Sequence, residues 1–180
     1  MQLSRRTWIL GGLSLLTLSG CSSLPLNSVE RFSGRFSGKF ERDGKTESLT
    51  GRYRYTVSDT ETVLDLLTPL YGVLARVVID KTGATLQKGE EAIARADSAQ
   101  SLMQQSVGFA LPVEMLQSWL IGQPQAGRPF SKIDDNGFEQ AGWRILVKRR
   151  HTDLSPATIS VTALQHPYIG TSLLLTVEKE

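Results

Sequence analysis

Apolar and polar residues alternate from residue 32 onward, and this period of two predicts strands with one buried face. The first such segment places on one side Phe32, Gly34, Phe36, Gly38 and Phe40. Glycines between the phenylalanines indicate strong bending or close approach of another backbone. After a turn at 42–45, the return segment places on one side Leu49, Gly51, Tyr53, Tyr55 and Val57. The two segments predict a hairpin in a curved antiparallel sheet around an apolar interior.

Further strands follow at short intervals, as is typical of an antiparallel meander. A Thr-Pro-Leu-Tyr-Gly turn at 68–72 separates the third strand from the fourth. An Asp-Asp-Asn-Gly turn is predicted at 134–137. We predict the strands at 62–67, 73–79, 84–87, 92–96, 143–149, 158–161 and 172–178, and 128–140 as a loop with a short strand.

Helical spacing replaces alternation in the middle of the chain. Asp97 or Ser98 suits the N-cap of a helix that ends at Gly108. A second helix has Pro112 in its first turn and ends before Gly122. The pattern therefore predicts a mainly β fold, with a helical insertion lying across a highly curved antiparallel sheet.

The first 20 residues have the pattern of a signal peptide that is removed on export. Arg5 and Arg6 precede an apolar run from Trp8 to Leu18, which is too short to span a bilayer comfortably. Leu18-Ser19-Gly20-Cys21 resembles a bacterial lipobox, in which the cysteine is acylated and becomes the N-terminus. No second cysteine is available for an internal disulfide. We expect three acyl chains on Cys21, enough to anchor the protein almost permanently.

The residues around Cys21 also predict the domain organisation and the location. The paired arginines are compatible with both general secretory and twin-arginine export. Ser22 and Ser23 follow the cysteine, where an aspartate would resemble an inner-membrane retention signal. By that analogy we expect an outer-membrane lipoprotein that faces the periplasm. We divide the chain into a signal peptide at 1–20, a lipidated tether at 21–30 and a single domain at 31–180.

Charge and motif content favour neither nucleic-acid binding nor catalysis. The chain has 20 basic and 18 acidic residues, and two of the basic ones lie in the predicted signal peptide. The mature domain is therefore formally neutral and lacks a nucleic-acid footprint. His151 and His166 have no metal-ligand spacing, and no Gly-x-Ser-x-Gly elbow is present. Gly44-Lys45-Thr46 lacks the earlier glycine of a P-loop, where Lys39 stands. We predict a non-enzyme without metal or cofactor.

The second predicted helix carries a motif, Leu111-Pro112-x-x-x-Leu116-x-x-Trp119-Leu120-x-Gly122-x-Pro124. This motif resembles the central motif of the LolB family of outer-membrane lipoprotein receptors. The glycine-punctuated first strand and three further segments fall in the order of that family: Pro69-Leu70, Ala94-Arg95-Ala96-Asp97 and Ala141-Gly142-Trp143. Two features depart from the family pattern, the short tether and Tyr71 between Leu70 and Gly72, where a Pro-Leu-Gly turn is usual.

The resemblance implies a fold and a function. The sheet would form an unclosed half-barrel, with the helices as a lid over an apolar cavity. The protein would accept triacylated lipoproteins from a LolA-like periplasmic carrier and insert them into the inner leaflet of the outer membrane, as a monomer and without nucleotide. The membrane-insertion loop would be Pro69, Leu70, Tyr71 and Gly72. Candidates for the acyl-chain cavity are Phe36, Phe40, Tyr53, Tyr55, Leu64, Leu66, Met103, Leu116, Trp119 and Trp143.

The residues leave several alternatives open. The candidate cavity side chains also fit a filled core, and Leu70 also fits a position folded back on the sheet edge. The basic run Lys148-Arg149-Arg150-His151 suits anionic headgroups, an acidic rim on the carrier or a solvated strand end. A structural lipoprotein of an outer-membrane assembly, or a carrier of free lipid, is the alternative function.

Overall fold

The computed structural model describes residues 29–42, 45–68, 72–89, 91–107, 111–165 and 169–179. Most of them form strands, and two short helices lie in the middle of the chain. The helices are α1 (Ala99–Val107) and α2 (Leu116–Leu120), and the 3₁₀ turn Val113–Met115 directly precedes α2. The strands are β1 (Glu30–Arg42), β2 (Lys45–Val57), β3 (Thr62–Leu67), β4 (Val73–Asp80), β5 (Gly83–Lys88), β6 (Glu91–Ala96), β7 (Phe130–Asp134), β8 (Gly137–Gln140), β9 (Trp143–Arg150), β10 (Pro156–Ala163), β11 (Ser172–Thr176) and β12 (Glu178–Lys179).

The strands pair in one antiparallel sheet that does not close. Two meanders meet at its centre, where β1 pairs with β11, and the strand order is β6-β5-β4-β3-β2-β1-β11-β10-β9-β8-β7. The short β12 extends the pairing of β1 beyond β11. The edge strands β6 and β7 are joined by the helical segment, which therefore runs from one edge of the sheet to the other.

The core lies on one face of the sheet, called the inner face and marked by Phe32, Phe36, Tyr53, Tyr55 and Leu64. Strand alternation explains this face, because the intervening residues of β1 and β2 are more exposed. Buried residues of the helical segment belong to the same cluster, among them Leu102, Val113, Trp119 and Leu120. The helical insertion therefore packs on the inner face, which agrees with the sequence prediction.

The predicted strand 172–178 is interrupted, and Tyr53 explains the interruption. The Tyr53 hydroxyl donates a 2.8 Å hydrogen bond to the Thr176 carbonyl, which is therefore turned away from the β1 ladder. The backbone N–H of Arg35 donates instead to Thr176 Oγ1, also at 2.8 Å. A Cβ atom at Gly34 would overlap the diverted carbonyl oxygen, so glycine is required there. The ladder resumes at β12, where Ser33 pairs with Glu178.

Two other predicted segments are subdivided in the structure. Residues 128–140 contain two strands, β7 and β8, joined by the predicted Asp134–Gly137 turn. Every residue of β7 is exposed, so an edge strand of this kind lacks the alternation that would reveal it. The second helix is divided into the 3₁₀ turn and α2, and its end at Leu120, before Gly122 at φ +75°, is as predicted.

Within the described ranges, neither helix is long and apolar enough to cross a membrane.

Candidate functional site

An apolar pocket lies between the inner face and the helical segment. Its volume is about 80 Å³, whereas sites for small molecules usually have about 300–1,000 Å³. The pocket would therefore have to widen to admit a long acyl chain. The lining residues come from four strands, from both helices and from the segment between them: Phe36, Gly38, Phe40, Leu49, Tyr53, Leu64, Leu66, Met103, Leu111, Leu116, Leu120, Leu173 and Leu175.

Seven of the ten predicted cavity residues line this pocket. They are Phe36, Phe40, Tyr53, Leu64, Leu66, Met103 and Leu116. The other three, Tyr55, Trp119 and Trp143, are buried in the surrounding core and are not part of the lining. Tyr55 donates its hydroxyl to the Val113 carbonyl at 3.0 Å, and Trp119 Nε1 donates to Gln140 Oε1 at 3.1 Å. Both polar tips are thus used to hold the helical segment on the sheet.

The remaining lining residues were not among the predicted ones, although the sequence carried a signal for most of them. Leu49 shares the period-two face of Tyr53, and Leu173 and Leu175 alternate within β11. Leu111 and Leu120 belong to the helical motif. These residues could be selected from the other apolar residues only once the strand order was known, because β11 pairs with β1 although Lys39 and its partner Ser172 are 133 residues apart.

One end of the pocket is less deeply buried than the other. Phe40, Leu49 and Leu66 are half-buried, whereas most of the other lining side chains are buried. Leu66 lies two residues before Thr68, where the loop between β3 and β4 begins. The half-buried end of the pocket therefore lies beside the base of this loop.

Two hydrogen bonds close the base of that loop. The Thr68 N–H donates to the Gly72 carbonyl at 2.8 Å, and the Gly72 N–H donates to Thr68 Oγ1 at 3.1 Å. Val73 and Leu74, directly after the loop, are more than two-fifths exposed. Of the predicted insertion loop, Gly72 is described and exposed. Pro69, Leu70 and Tyr71 lie outside the described residues, as does Cys21.

Two buried phenols are the titratable groups of this region. Burial raises the pKa of Tyr53 well above its ordinary value, and the negative charge of Glu178 adds to the effect. Burial likewise raises the pKa of Tyr55. Both hydroxyls are therefore neutral hydrogen-bond donors at physiological pH, with no charge next to the apolar pocket.

The basic run at 148–151 lies at the end of β9, away from the pocket lining. His151 Nε2 donates to the Val177 carbonyl at 2.8 Å, and Arg150 donates to the Leu154 carbonyl at 2.9 Å. His166 lies outside the described residues. Among those described, no three side chains of histidine, cysteine, aspartate or glutamate are grouped so as to hold a metal ion.

Comparison with known proteins identifies the family. A family model described as outer membrane lipoprotein LolB matches residues 31–177. The chain is 33% identical over 143 residues to the outer-membrane lipoprotein LolB of Cupriavidus metallidurans, covering 77% of this chain and 70% of the relative. It is 32% identical over 142 residues to that of Neisseria meningitidis, covering 73% and 72%. A crystal structure of a LolA superfamily protein from Nitrosomonas europaea aligns with 86% of each chain, at 10% identity and a TM-score of 0.41. The chain therefore belongs to the LolB family of outer-membrane lipoproteins, which act in lipoprotein transport.

Proposed function

We propose that this protein accepts triacylated lipoproteins from a LolA-like periplasmic carrier and inserts them into the inner leaflet of the outer membrane. The observation that carries the proposal is the pocket on the inner face, whose lining contains no charged residue. Membership in the LolB family supports the same role. Acylation of Cys21 would hold the domain at the membrane, on the periplasmic side, as a monomer.

The physical need for such a pocket follows from the client. Each methylene exposed to water costs about 0.8 kcal/mol, so three acyl chains cannot cross an aqueous compartment unshielded. A protected apolar site lowers that cost, and tighter binding at each step moves the client forward. The proposed cycle breaks no covalent bond and uses neither nucleotide nor cofactor.

Widening of the pocket is assigned to α1, as a lid. Met103 on α1 lines the pocket, and the helix packs on β5, β6 and the 3₁₀ turn. By contrast, three side-chain hydrogen bonds hold the 3₁₀ turn and α2 to the sheet: Tyr55 to Val113, Gln117 to Glu30 and Trp119 to Gln140. We therefore expect α1 to move while α2 stays in place.

Release is assigned to the loop between β3 and β4. The exposed Val73 and Leu74 extend an apolar surface from its base. An apolar Leu70 at the turn would add to this surface and enter the membrane. We expect Leu70→Glu to preserve folding and client acceptance but to slow insertion into liposomes. Insertion at an unchanged rate would remove Leu70 from the mechanism.

Uptake of an apolar fluorescent probe tests the function itself. We expect the probe to gain fluorescence with the full-length protein in neutral detergent, and an acylated client to displace it. A non-acylated copy of the client is the matched control and should not displace the probe. If the acylated client fails to compete, the pocket does not serve lipoprotein acyl chains. Displacement by free lipid alone would favour a free-lipid carrier, and no probe uptake would favour an assembly lipoprotein.

A further inference from the structure

A basic groove crosses the outer face of the sheet, opposite the apolar pocket. We call it the arginine groove. Its basic lining residues are Arg35, Arg52, Arg149, Arg150 and His151, and its volume is about 420 Å³. Glu178 is the one acidic residue in its lining. The lining thus contains four formal positive charges and one negative charge.

Strand register brings these arginines together from distant parts of the sequence. Arg52 on β2 pairs directly with Arg35 on β1. Beyond β1, Thr176 pairs with Thr158, and Thr158 pairs with Arg149 on β9. Adjacent strands are about 4.8 Å apart, so three strand spacings, or about 14 Å, separate the backbones of Arg35 and Arg149. Two threonines therefore lie between arginines that approach from both sides.

The backbone is irregular at both sides of this row. On β9 the register shifts between Thr158 and Ile159, so that Lys148 and Arg149 oppose a single partner residue. Bulges of this kind redirect side chains and are frequent near functional sites. At the other side, the Thr176 carbonyl is withdrawn toward Tyr53 on the inner face. Two separate departures from a regular ladder thus occur within one groove.

Arg35 and Arg149 of the groove differ from Arg76 and Arg144 elsewhere in the sheet. Arg76 is paired with Asp65 at 2.6 Å, and Arg144 with Glu139 at 2.6 Å. No ion pair within the described part of the chain involves Arg35 or Arg149. Like charges directly opposite each other, such as Arg35 and Arg52, destabilise a sheet. A bound anion would remove that repulsion.

A second hollow continues the groove and has a more apolar character. It shares Arg35, Arg52 and Thr176 with the arginine groove and adds Leu174, which is 46% exposed. A ligand spanning both would have an anionic part and an apolar part. Arginine guanidinium groups match the oxygen geometry of phosphate especially well.

We propose that the arginine groove binds the phosphate headgroup of an anionic amphiphile, such as the phosphomonoester of a phospholipid, with its apolar part along Leu174. A doubly charged phosphate complements four arginines better than a single carboxylate does. The site is separate from the proposed acyl-chain pocket, because it lies on the opposite face of the sheet. It would give the domain a second, headgroup-selective contact with lipid.

Calorimetric titration of the full-length lipoprotein in neutral detergent tests this site. The probes are dioleoyl phosphatidic acid and dioleoyl phosphatidylcholine, which have the same acyl chains. We expect phosphatidic acid to bind at least about tenfold more tightly, and Arg35→Gln/Arg149→Gln to abolish the difference. The double variant Lys88→Gln/Arg128→Gln removes the same charge from exposed positions outside the groove and should retain it.

Several outcomes would overturn the proposal. They are equal affinity for the two lipids, an unchanged preference in Arg35→Gln/Arg149→Gln, and equal binding of inorganic pyrophosphate, which would indicate a free-phosphate site. Binding of a glutamate-rich peptide, without binding of phosphatidic acid or pyrophosphate, would indicate an acidic protein partner instead.

Uptake of the apolar fluorescent probe by the inner pocket should be unchanged in Arg35→Gln/Arg149→Gln. Loss of headgroup binding by the groove can therefore be distinguished from loss of the receptor function, because each has its own measurement. Thermal unfolding of this variant should not occur earlier than in the native chain, because the Arg35–Arg52 repulsion is relieved.

Discussion

At the scale of single residues, Gly34 allows the Thr176 backbone to turn toward the inner face of the sheet. Because glycine has no side chain, there is room for the Thr176 carbonyl, which accepts a hydrogen bond from the Tyr53 hydroxyl. We expect Gly34→Ala to lower the free energy of unfolding by about 2–3 kcal/mol, because a backbone oxygen cannot move aside cheaply. Urea unfolding followed by circular dichroism measures this change.

Gly38→Ala is the matched control for that prediction. Gly38 lies on the same strand and face, but a Cβ atom there would meet the mobile end of Leu173, 2.8 Å away. We expect a loss below about 1 kcal/mol, because that methyl group can rotate away. Equal losses in the two variants would show that the Thr176 carbonyl is not the obstacle.

The buried phenols predict a loss of stability in alkali. The pKa of Tyr53 and Tyr55 is raised in the folded protein, mainly by burial. Above pH of about 10 the unfolded chain releases these protons while the folded chain keeps them, so unfolding becomes favoured as pH rises. Each tyrosine should contribute a slope of up to about 1.4 kcal/mol per pH unit there. Urea unfolding between pH 8 and pH 11 should be less pH-dependent in Tyr53→Phe and Tyr55→Phe; an unchanged slope in both would contradict the assignment.

Residue-scale burial was largely predictable from the sequence, but residue roles were not. The alternation of β1 and β2 identified Phe36, Tyr53 and Tyr55 as inward-facing. It could not separate Tyr53, which lines the pocket, from Tyr55, which fastens the helical segment. That difference depends on which distant carbonyl accepts a hydrogen bond from each hydroxyl, and a local sequence pattern does not contain this information.

At the scale of elements, α1 is the segment expected to open. Ser98 caps it, as the sequence suggested, by accepting the Ser101 N–H at 3.1 Å. We expect Ser98→Ala to weaken α1 by about 1 kcal/mol. Amide hydrogen exchange should then become faster in α1, and apolar probe uptake should become faster with it. Faster exchange without faster uptake would show that α1 does not limit access to the pocket.

Gln140 joins three segments around α2. Its side-chain oxygen accepts hydrogen bonds from Trp119 Nε1 and from the backbone N–H of Gln125. Its side-chain nitrogen donates a hydrogen bond to the Gln125 carbonyl. Because Gln140 is buried, Gln140→Leu would leave these groups unpaired and should lower the free energy of unfolding by about 2–4 kcal/mol. Thermal unfolding measures this, with Gln100→Leu on the exposed side of α1 as control. Similar stability of both variants would mean that water replaces Gln140.

Most elements follow from the sequence, and the exceptions have physical causes. Alternation and turn residues located β1 to β6 and β9 to β11, and capping residues located α1. The exposed edge strand β7 has no buried face and therefore no alternation. The break between β11 and β12 depends on a hydrogen bond from Tyr53, 123 residues away in sequence.

At the scale of the whole molecule, topology places the pocket. Because β6 and β7 are opposite edges of the sheet, the helical segment must cross one face to connect them, and its buried residues place it on the inner face. The two meanders meet at β1 and β11, whose inward residues line the pocket together. The sequence pattern predicted a curved antiparallel sheet with a helical insertion, and the family resemblance implied that the sheet is unclosed. The central pairing of β1 with β11 is long-range and appeared only in the structure.

Site-specific photo-crosslinking tests the central claim most directly. A benzophenone amino acid replaces Phe40, on the inner face at the half-buried end of the pocket, or the adjacent and exposed Lys39. Each full-length variant then receives a lipoprotein with radiolabelled acyl chains from its carrier. The proposed function predicts an acyl-chain crosslink from position 40 and little from position 39. Equal labelling at both positions, or labelling at position 39 alone, would contradict an acyl-chain site on the inner face.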